Sequence, residues 1–270
     1  MFKIKQYDLG DQVERVGFYQ DVVDEMQENK NKIFTPGNDR GYKYEPSEEQ
    51  KRQQNIDRAL QRAKTKIRRL TQRYNMRYMW TLTFKYKFTE VKNRNGSVET
   101  YDTGDFDSAW HLWKMFLKRC KRAGLDFDYI CTIEVQEKRL QKYGEKVYHF
   151  HFITNEQIPI TWDKARKQGK NYCLADLWGH GYCFVSKKKS EKKLAHLYVI
   201  KYVAKLLDEI GTGRQRYRVK QGLEIPVEEF LINNHIDFYL SAGEEVRKSS
   251  YLLLGDKLEI FWLIYDKGKP

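Results

Sequence analysis

His149 and His151 stand one residue apart in Tyr148-His149-Phe150-His151-Phe152-Ile153, an aromatic, β-branched run that reads as a strand. Side chains alternate between the faces of a strand, so both imidazoles project one way and Phe150 and Phe152 project the other, into a core. A pair of imidazoles on a rigid strand can grip a divalent cation. The preceding run, Tyr129 to Glu137, reads as a second strand, joined to the first by a basic, polar tip from Lys138 to Lys146. The two then form an antiparallel hairpin. With a roughly symmetric tip, Glu134 falls opposite His149 and can complete a His-His-Glu set. Glu137 is the alternative, because a shift in register changes which acid comes alongside.

A second constellation lies downstream. Ser190 is placed to cap a helix that runs to about Ile210 and is ended by Gly211. Its apolar face holds Leu197, Ile200, Val203 or Ala204, Leu207 and Ile210. Offset from that face, Tyr198 and Tyr202 are four apart and stack on one side, with Lys201 and Lys205 each three residues after a tyrosine. As plain surface, these tyrosines would cover the edge of a core and leave the lysines in water. As chemistry, they are nucleophiles. A phenol ionises near pH 10, so phenolate at neutral pH costs about 4 kcal/mol. A neighbouring lysine or a metal-polarised phosphate offsets part of that cost. Phenolate attack on a phosphodiester leaves a phosphotyrosine link and a free 3′-hydroxyl, and an ion held by two histidines and a carboxylate would orient the phosphate. Two tyrosines can take turns, one cleaving while the other holds the earlier strand.

The composition agrees with a polyanionic partner. The 270 residues carry 50 Lys and Arg against 37 Asp and Glu, a net charge of +13, which favours nucleic acid or an anionic membrane surface. No apolar run is long enough to span a membrane. The first residues, MFKIKQYDLG, lack the apolar region of a signal peptide. Cys120, Cys131, Cys173 and Cys183 form no C-x-x-C pair, which fits free thiols in a reducing cytoplasm. Cys173, His180 and Cys183 match no common zinc spacing.

The elements that must position these groups are legible in outline. Residues 1–46 mix charges with Gly and Pro and read as a loosely ordered arm with one short helix near 18–28. Ser47 and Gln50 look like a capping pair that opens a long helix to about Tyr74, with Ile56, Leu60, Ala63, Ile67, Leu70 and Tyr74 on its apolar stripe. Its other faces are basic, Arg68 and Arg69 included, and suit phosphate tracking as well as solvation. Tyr78 to Phe84 reads as a strand with Thr81 and Thr83 on one face and Leu82 and Phe84 on the other. A turn at 92–96, a helix from Asp105 to Ala123 with Trp110 and Trp113 in its apolar stripe, and an irregular connection over 155–176 follow. Trp178 to Val185 turns into another strand. Arg214, Arg216, Arg218 and Lys220 alternate, so an extended segment would line up four charges for a DNA backbone. The sequence divides into the arm, a main domain over 47–225, and a C-terminal β extension over 226–270 that packs on the same domain and contains a hairpin at 251–262.

Thr81-Leu82-Thr83-Phe84, then His149-Phe150-His151, then Tyr198-x-x-Lys201-Tyr202-x-x-Lys205, in this order, resemble the three motifs of the HUH endonucleases, specifically the two-tyrosine replication initiators of small rolling-circle plasmids and single-stranded DNA phages. The resemblance covers roughly residues 50–225, Trp178-Gly179-His180-Gly181 included. It implies an α+β fold in which a central antiparallel sheet of ferredoxin or RRM type is flanked by helices, with both histidines on the middle strand facing a tyrosine-bearing helix. It implies Mg²⁺ or Mn²⁺ held by His149, His151 and Glu134, nicking of single-stranded DNA at a hairpin origin, a 5′-phosphotyrosine intermediate and strand rejoining. Tyr202 is favoured for first cleavage because K-Y-x-x-K is the form shared with single-tyrosine initiators. No P-loop occurs, so the expectation is that a host helicase unwinds and a host polymerase copies. The alternatives are a non-catalytic origin-binding repressor and a related transposase or relaxase.

Overall fold

The structure is a computed structural model that describes residues 2–19, 47–93, 95–185, 199–203, 217–232, 246–254 and 257–267. Chain contacts divide it into two units, Met1–Gln53 with Glu224–Pro270, and Gln54–Leu223. The fold is α+β, with antiparallel sheets and helices in both expected roles.

The second unit is built on a five-stranded sheet. In chain order its strands are β3 (Tyr78–Thr83), β6 (Tyr129–Val135), β7 (Tyr148–Thr154), β8 (Cys183–Val185) and β9 (Tyr217–Val219), arranged β8-β3-β7-β6-β9. The histidine-bearing strand is therefore the middle one, as the resemblance implies. Leu82, Phe84, Phe150, Phe152, Cys131 and Ile133 fill one face and are fully or almost fully buried. Against them packs α2 (Phe106–Arg122), opened by Asp105, whose side chain accepts a hydrogen bond from Ser108 N. Trp113 of α2 sits 5.2 Å, ring centre to ring centre, from both Phe150 and Phe152, so its tryptophans are core. The hairpin of β4 (Phe88–Lys92) and β5 (Val98–Asp102) surrounds the expected turn; its strands lack a clean apolar alternation and escape a sequence reading.

The long helix α1 (Glu48–Arg73) begins with the expected reciprocal cap: Gln50 N donates to Ser47 Oγ at 3.2 Å and Ser47 N donates to Gln50 Oε1 at 2.9 Å. Its Leu60 and Ala63 line a groove with Val203, Tyr217 and Val219, which places α1 on the sheet face opposite α2. The connection over 155–176 holds two short helices, α4 (Trp162–Lys167) and α5 (Leu174–Trp178). After α5 the chain turns through Gly179, whose φ is +68°, and Gly181 presses on β3 so closely that a Cβ there would lie 2.1 Å from Thr83 O.

The first unit corrects the expectation of a loose arm over 1–46. Phe2–Asp8 (β1) and Gln12–Tyr19 (β2) form a hairpin in a second five-stranded sheet, ordered β10-β1-β2-β12-β11 with β10 (Val227–Ile232), β11 (Val246–Leu254) and β12 (Lys257–Asp266). The physical reason is non-local: Phe2, Ile4 and Val13 are buried with Leu263 and Tyr265, partners more than two hundred residues away that no local window displays. The hairpin expected at 251–262 is present as β11 and β12, with Leu254 paired to Lys257. The C-terminal extension thus hydrogen-bonds to the N-terminal hairpin rather than adding to the sheet of His149 and His151. Residues 18 and 19 belong to β2, and the rest of the helix expected near 18–28 lies outside the described residues.

Candidate metal centre

The register between β6 and β7 sets Glu134 directly opposite His149 and Thr132 opposite His151. On the other side of β7, Thr83 pairs with His149 and Thr81 with His151. The basic tip expected at 138–146 contains a helix, α3 (Glu137–Tyr143), that starts after β6 has ended. Glu137 heads that helix, which leaves Glu134 as the acid alongside the histidines.

Three donor atoms converge. His149 Nε2 lies 3.0 Å from Glu134 Oε2, His151 Nε2 lies 3.2 Å from the same oxygen, and the two Nε2 atoms are 3.0 Å apart. Hydrogen bonds alone do not satisfy this triangle. If both Nε2 atoms donate to Oε2, two N–H groups oppose each other. If one is deprotonated, its lone pair faces a carboxylate lone pair. A divalent cation resolves both conflicts, and donors each about 2.1 Å from an ion and at right angles to one another are about 3 Å apart, the spacing found here. Among the described residues Glu134, His149 and His151 form the group of this kind. Thr81 Oγ1 lies 3.0 Å from His151 Nδ1. With Nδ1 protonated and donating to that hydroxyl, Nε2 keeps its lone pair toward the cluster, the usual support for a ligating histidine. Glu134 and His151 are buried, whereas His149 is the more open of the pair. His149 and Glu134 also border an open cavity of about 760 Å³ whose rim carries Lys85, Lys138, Arg139 and Lys142.

Tyr202 stands on the same face. Its ring stacks on His151 with centroids 3.8 Å apart and planes 6° from parallel. Residues 199–203 are helical, and the side chains that anchor them are Val199 and Val203, one turn apart and buried. Ile200, expected on the apolar face, is half-buried, and Lys201 is exposed. The phenol therefore belongs to the flank of the buried stripe. Tyr198 and Lys205 lie outside the described residues, as do Arg214 and Arg216.

The basic residues expected on DNA divide differently. Arg218 lies in β9 on the α2 side, its guanidinium carbon 4.2 Å from the centre of the Trp110 ring. Lys220 pairs with Asp126 at 3.0 Å and Asp128 at 3.2 Å. One of the two charges is thus stacked on an indole and the other is matched by acids. Arg68 and Arg69 are half-buried on α1, where Arg68 donates to Gln72 at 3.1 Å. Cys173, His180 and Cys183 form no metal group among the described residues. His180 is instead held by Arg119, whose Nη2 donates to His180 Nε2 at 3.0 Å. Sequence reasoning misses the support from Thr81 and the rim lysines. The pairing register, once known, exposes the first; the second depends on how α3 folds.

No curated protein and no solved structure matches the chain. No described helix is long and apolar enough to cross a membrane. Residues 77–207 match the family model of the replication-associated protein ORF2, a span that holds Thr81, Glu134, both histidines and both tyrosines. That match supports a replication-associated protein, an initiator of the Rep type.

Proposed function

We propose that this chain nicks and rejoins single-stranded DNA at a replication origin through a 5′-phosphotyrosine intermediate, as an HUH-type initiator of the two-tyrosine form. The observation that carries the reading is the stacking of Tyr202 on His151, which gives a phenol and an imidazole-carboxylate cluster one common site. Glu134, His149 and His151 would hold Mg²⁺ or Mn²⁺, and such an ion, when bound, supplies positive charge to the phosphate oxygens.

The rest falls to the chain itself. Tyr202 Oη loses its proton to solvent and attacks phosphorus. The bond to the 3′-oxygen breaks, that oxygen takes up a proton, and the 5′-phosphate stays on tyrosine. Rejoining reverses these steps with an incoming 3′-hydroxyl. Lys201, exposed beside Tyr202, and Lys205 lower the cost of phenolate. Tyr198 is the second nucleophile, and Arg214, Arg216 and the basic face of α1 meet the DNA backbone. The stacked ring also fixes the phenol's direction, so less orientational freedom is lost on attack. The replicon is a small plasmid or phage circle in the cytoplasm, with a hairpin origin, unwound and copied by the host's helicase and polymerase.

The test is an adduct assay with an origin oligonucleotide and Mn²⁺, read on a denaturing gel. The native chain is expected to give a slow band. Tyr202→Phe is expected to lose first cleavage, Tyr198→Phe to impair rejoining, and the double variant to give no adduct. Adducts from the double variant would refute the tyrosine assignment.

A further inference from the structure

Tyr182 and Phe184 are large aromatics left open, 59% and 54% exposed. They bracket Cys183, the first residue of the edge strand β8. Phe184 pairs with Thr81, and Tyr182 is tied across to Thr83, whose N donates to Tyr182 O at 2.9 Å. Thr81 reaches His151 Nδ1, which fixes the face on which that row of side chains lies. Residues directly opposite on neighbouring strands share a face. Phe184 therefore lies in the row of Thr81 and His151, and Tyr182 in the row of Thr83, His149 and Glu134. Their rings are 6.4 Å apart and tilted by 36°, side by side on one surface. Two strand spacings, about 10 Å, separate this pair from the histidines.

Bare aromatic pairs on an edge strand invite aggregation unless something covers them. The chain that follows β3 extends the pattern. Lys85 and Lys87 alternate with Tyr86 and Phe88, which are 59% and 57% exposed, and each ammonium lies 5.0 Å and 5.4 Å from the respective ring. Lys85 also lines the cavity beside His149 and Glu134. Open rings for bases with interleaved cations for phosphates are the two components of a surface for unpaired nucleic acid.

We propose that Tyr182 and Phe184 form a stacking platform for bases of single-stranded DNA next to the phosphate that meets Tyr202. The proposal rests on the nicking reading for its choice of ligand. Its geometry concerns positions outside the metal cluster. Duplex DNA does not fit the role, because its bases already stack on one another.

The probe is a fluorescent oligothymidine of about 16 nucleotides, long enough for one site. It is titrated in EDTA, so that binding is measured without cleavage. Tyr182→Leu and Phe184→Leu keep apolar bulk and remove the ring. Each is expected to weaken binding about tenfold, with the slope of affinity against salt unchanged because no charge is altered. Tyr182→Phe and Phe184→Tyr are expected to bind within about twofold of the native chain, and affinity for duplex of equal length is expected to be the same in all variants. A double leucine variant that binds as the native chain does, or a native chain with no preference for the single strand, overturns the platform. The two readings fail separately. Native protein that binds through these rings but forms no adduct with Mn²⁺ loses the nicking reading and keeps the platform. A double leucine variant with native adduct yield at limiting oligonucleotide loses the platform and keeps the nicking reading.

Discussion

The two faces of the sheet β8-β3-β7-β6-β9 come from the same residues read alternately, and they differ in kind. One carries Trp80, Leu82, Phe84, Phe150 and Phe152, each no more than 2% exposed, against the aromatic stripe of α2. The other carries Thr81 and Thr83, His149 and His151, and Glu134, with open positions at its β8 edge. The oily face is insensitive to detail within each pocket but intolerant of a slip, since moving β7 by one residue would bury both imidazoles among rings. The polar face has little hydrophobic energy of its own and needs its register set from behind. The division of labour is that hydrophobic burial under β7 fixes where three donor atoms meet above it.

The largest effect is expected from breaking the oily side. Phe150 is fully buried and touches Phe84, Trp110, Trp113 and Trp178. Phe150→Ala is expected to cost about 3–5 kcal/mol in urea unfolding, the range for a large core ring. Thr83→Ala, on the polar face and half-buried, is expected to cost less than about 1 kcal/mol. Equal losses from the two would remove the distinction between the faces.

The polar side is sharpened by removing a donor. His149→Ala and His151→Ala are each expected to lower Mn²⁺ affinity by more than about 100-fold in calorimetric titration, beyond what loss of an outer-shell partner costs. Unfolding without metal is expected to change by less than about 1.5 kcal/mol, because the three donors crowd one point at 3.0–3.2 Å when no cation separates them. A variant that binds Mn²⁺ within about tenfold of the native chain would exclude these residues as ligands.

Much of this is legible in the sequence because it is local. The alternation of His149-Phe150-His151 and of Thr81-Leu82-Thr83 assigns faces without any tertiary information. Ser47 and Gln50 announce α1 for the same reason. Glu134 needs one further assumption, a symmetric hairpin tip, and the register agrees although the tip is the helix α3. What escapes is long-range. Residues 2–19 look polar and irregular in isolation because their apolar partners are Leu263 and Tyr265. Arg218 and Lys220 look like matched cations until Trp110, Asp126 and Asp128 are placed beside them. Val199 is easily passed over because Ile200 is the larger neighbour, and only packing decides which of two adjacent apolar residues faces inward.

The smallest effect tests the titratable member of the oily side. His180 packs at 5.1 Å from the Trp178 ring and 6.3 Å from that of Phe84, and accepts from Arg119, which also donates to Leu177 O and Trp178 O. Burial, then the nearby guanidinium, push its pKa from 6.5 down to about 4. Above pH 6.5 the imidazole is neutral in both folded and unfolded chains and has no effect. As pH falls from 6.5 toward 4 the unfolded chain takes up the proton first, so stability is lost over that window. With the ring partly open to solvent, the loss is about 2 kcal/mol after discounting for screening. His180→Gln keeps an acceptor for Arg119 and does not titrate. Its urea midpoint is expected to fall less than that of the native chain between pH 7 and pH 4.5, by most of that amount, while Mn²⁺ affinity at pH 7 stays the same because the substitution lies on the other face. Parallel loss in both proteins would show that the acid sensitivity arises elsewhere, and a loss of Mn²⁺ binding in His180→Gln would show that the two faces are not separable through Thr83, whose O accepts from Trp178 Nε1 at 2.9 Å.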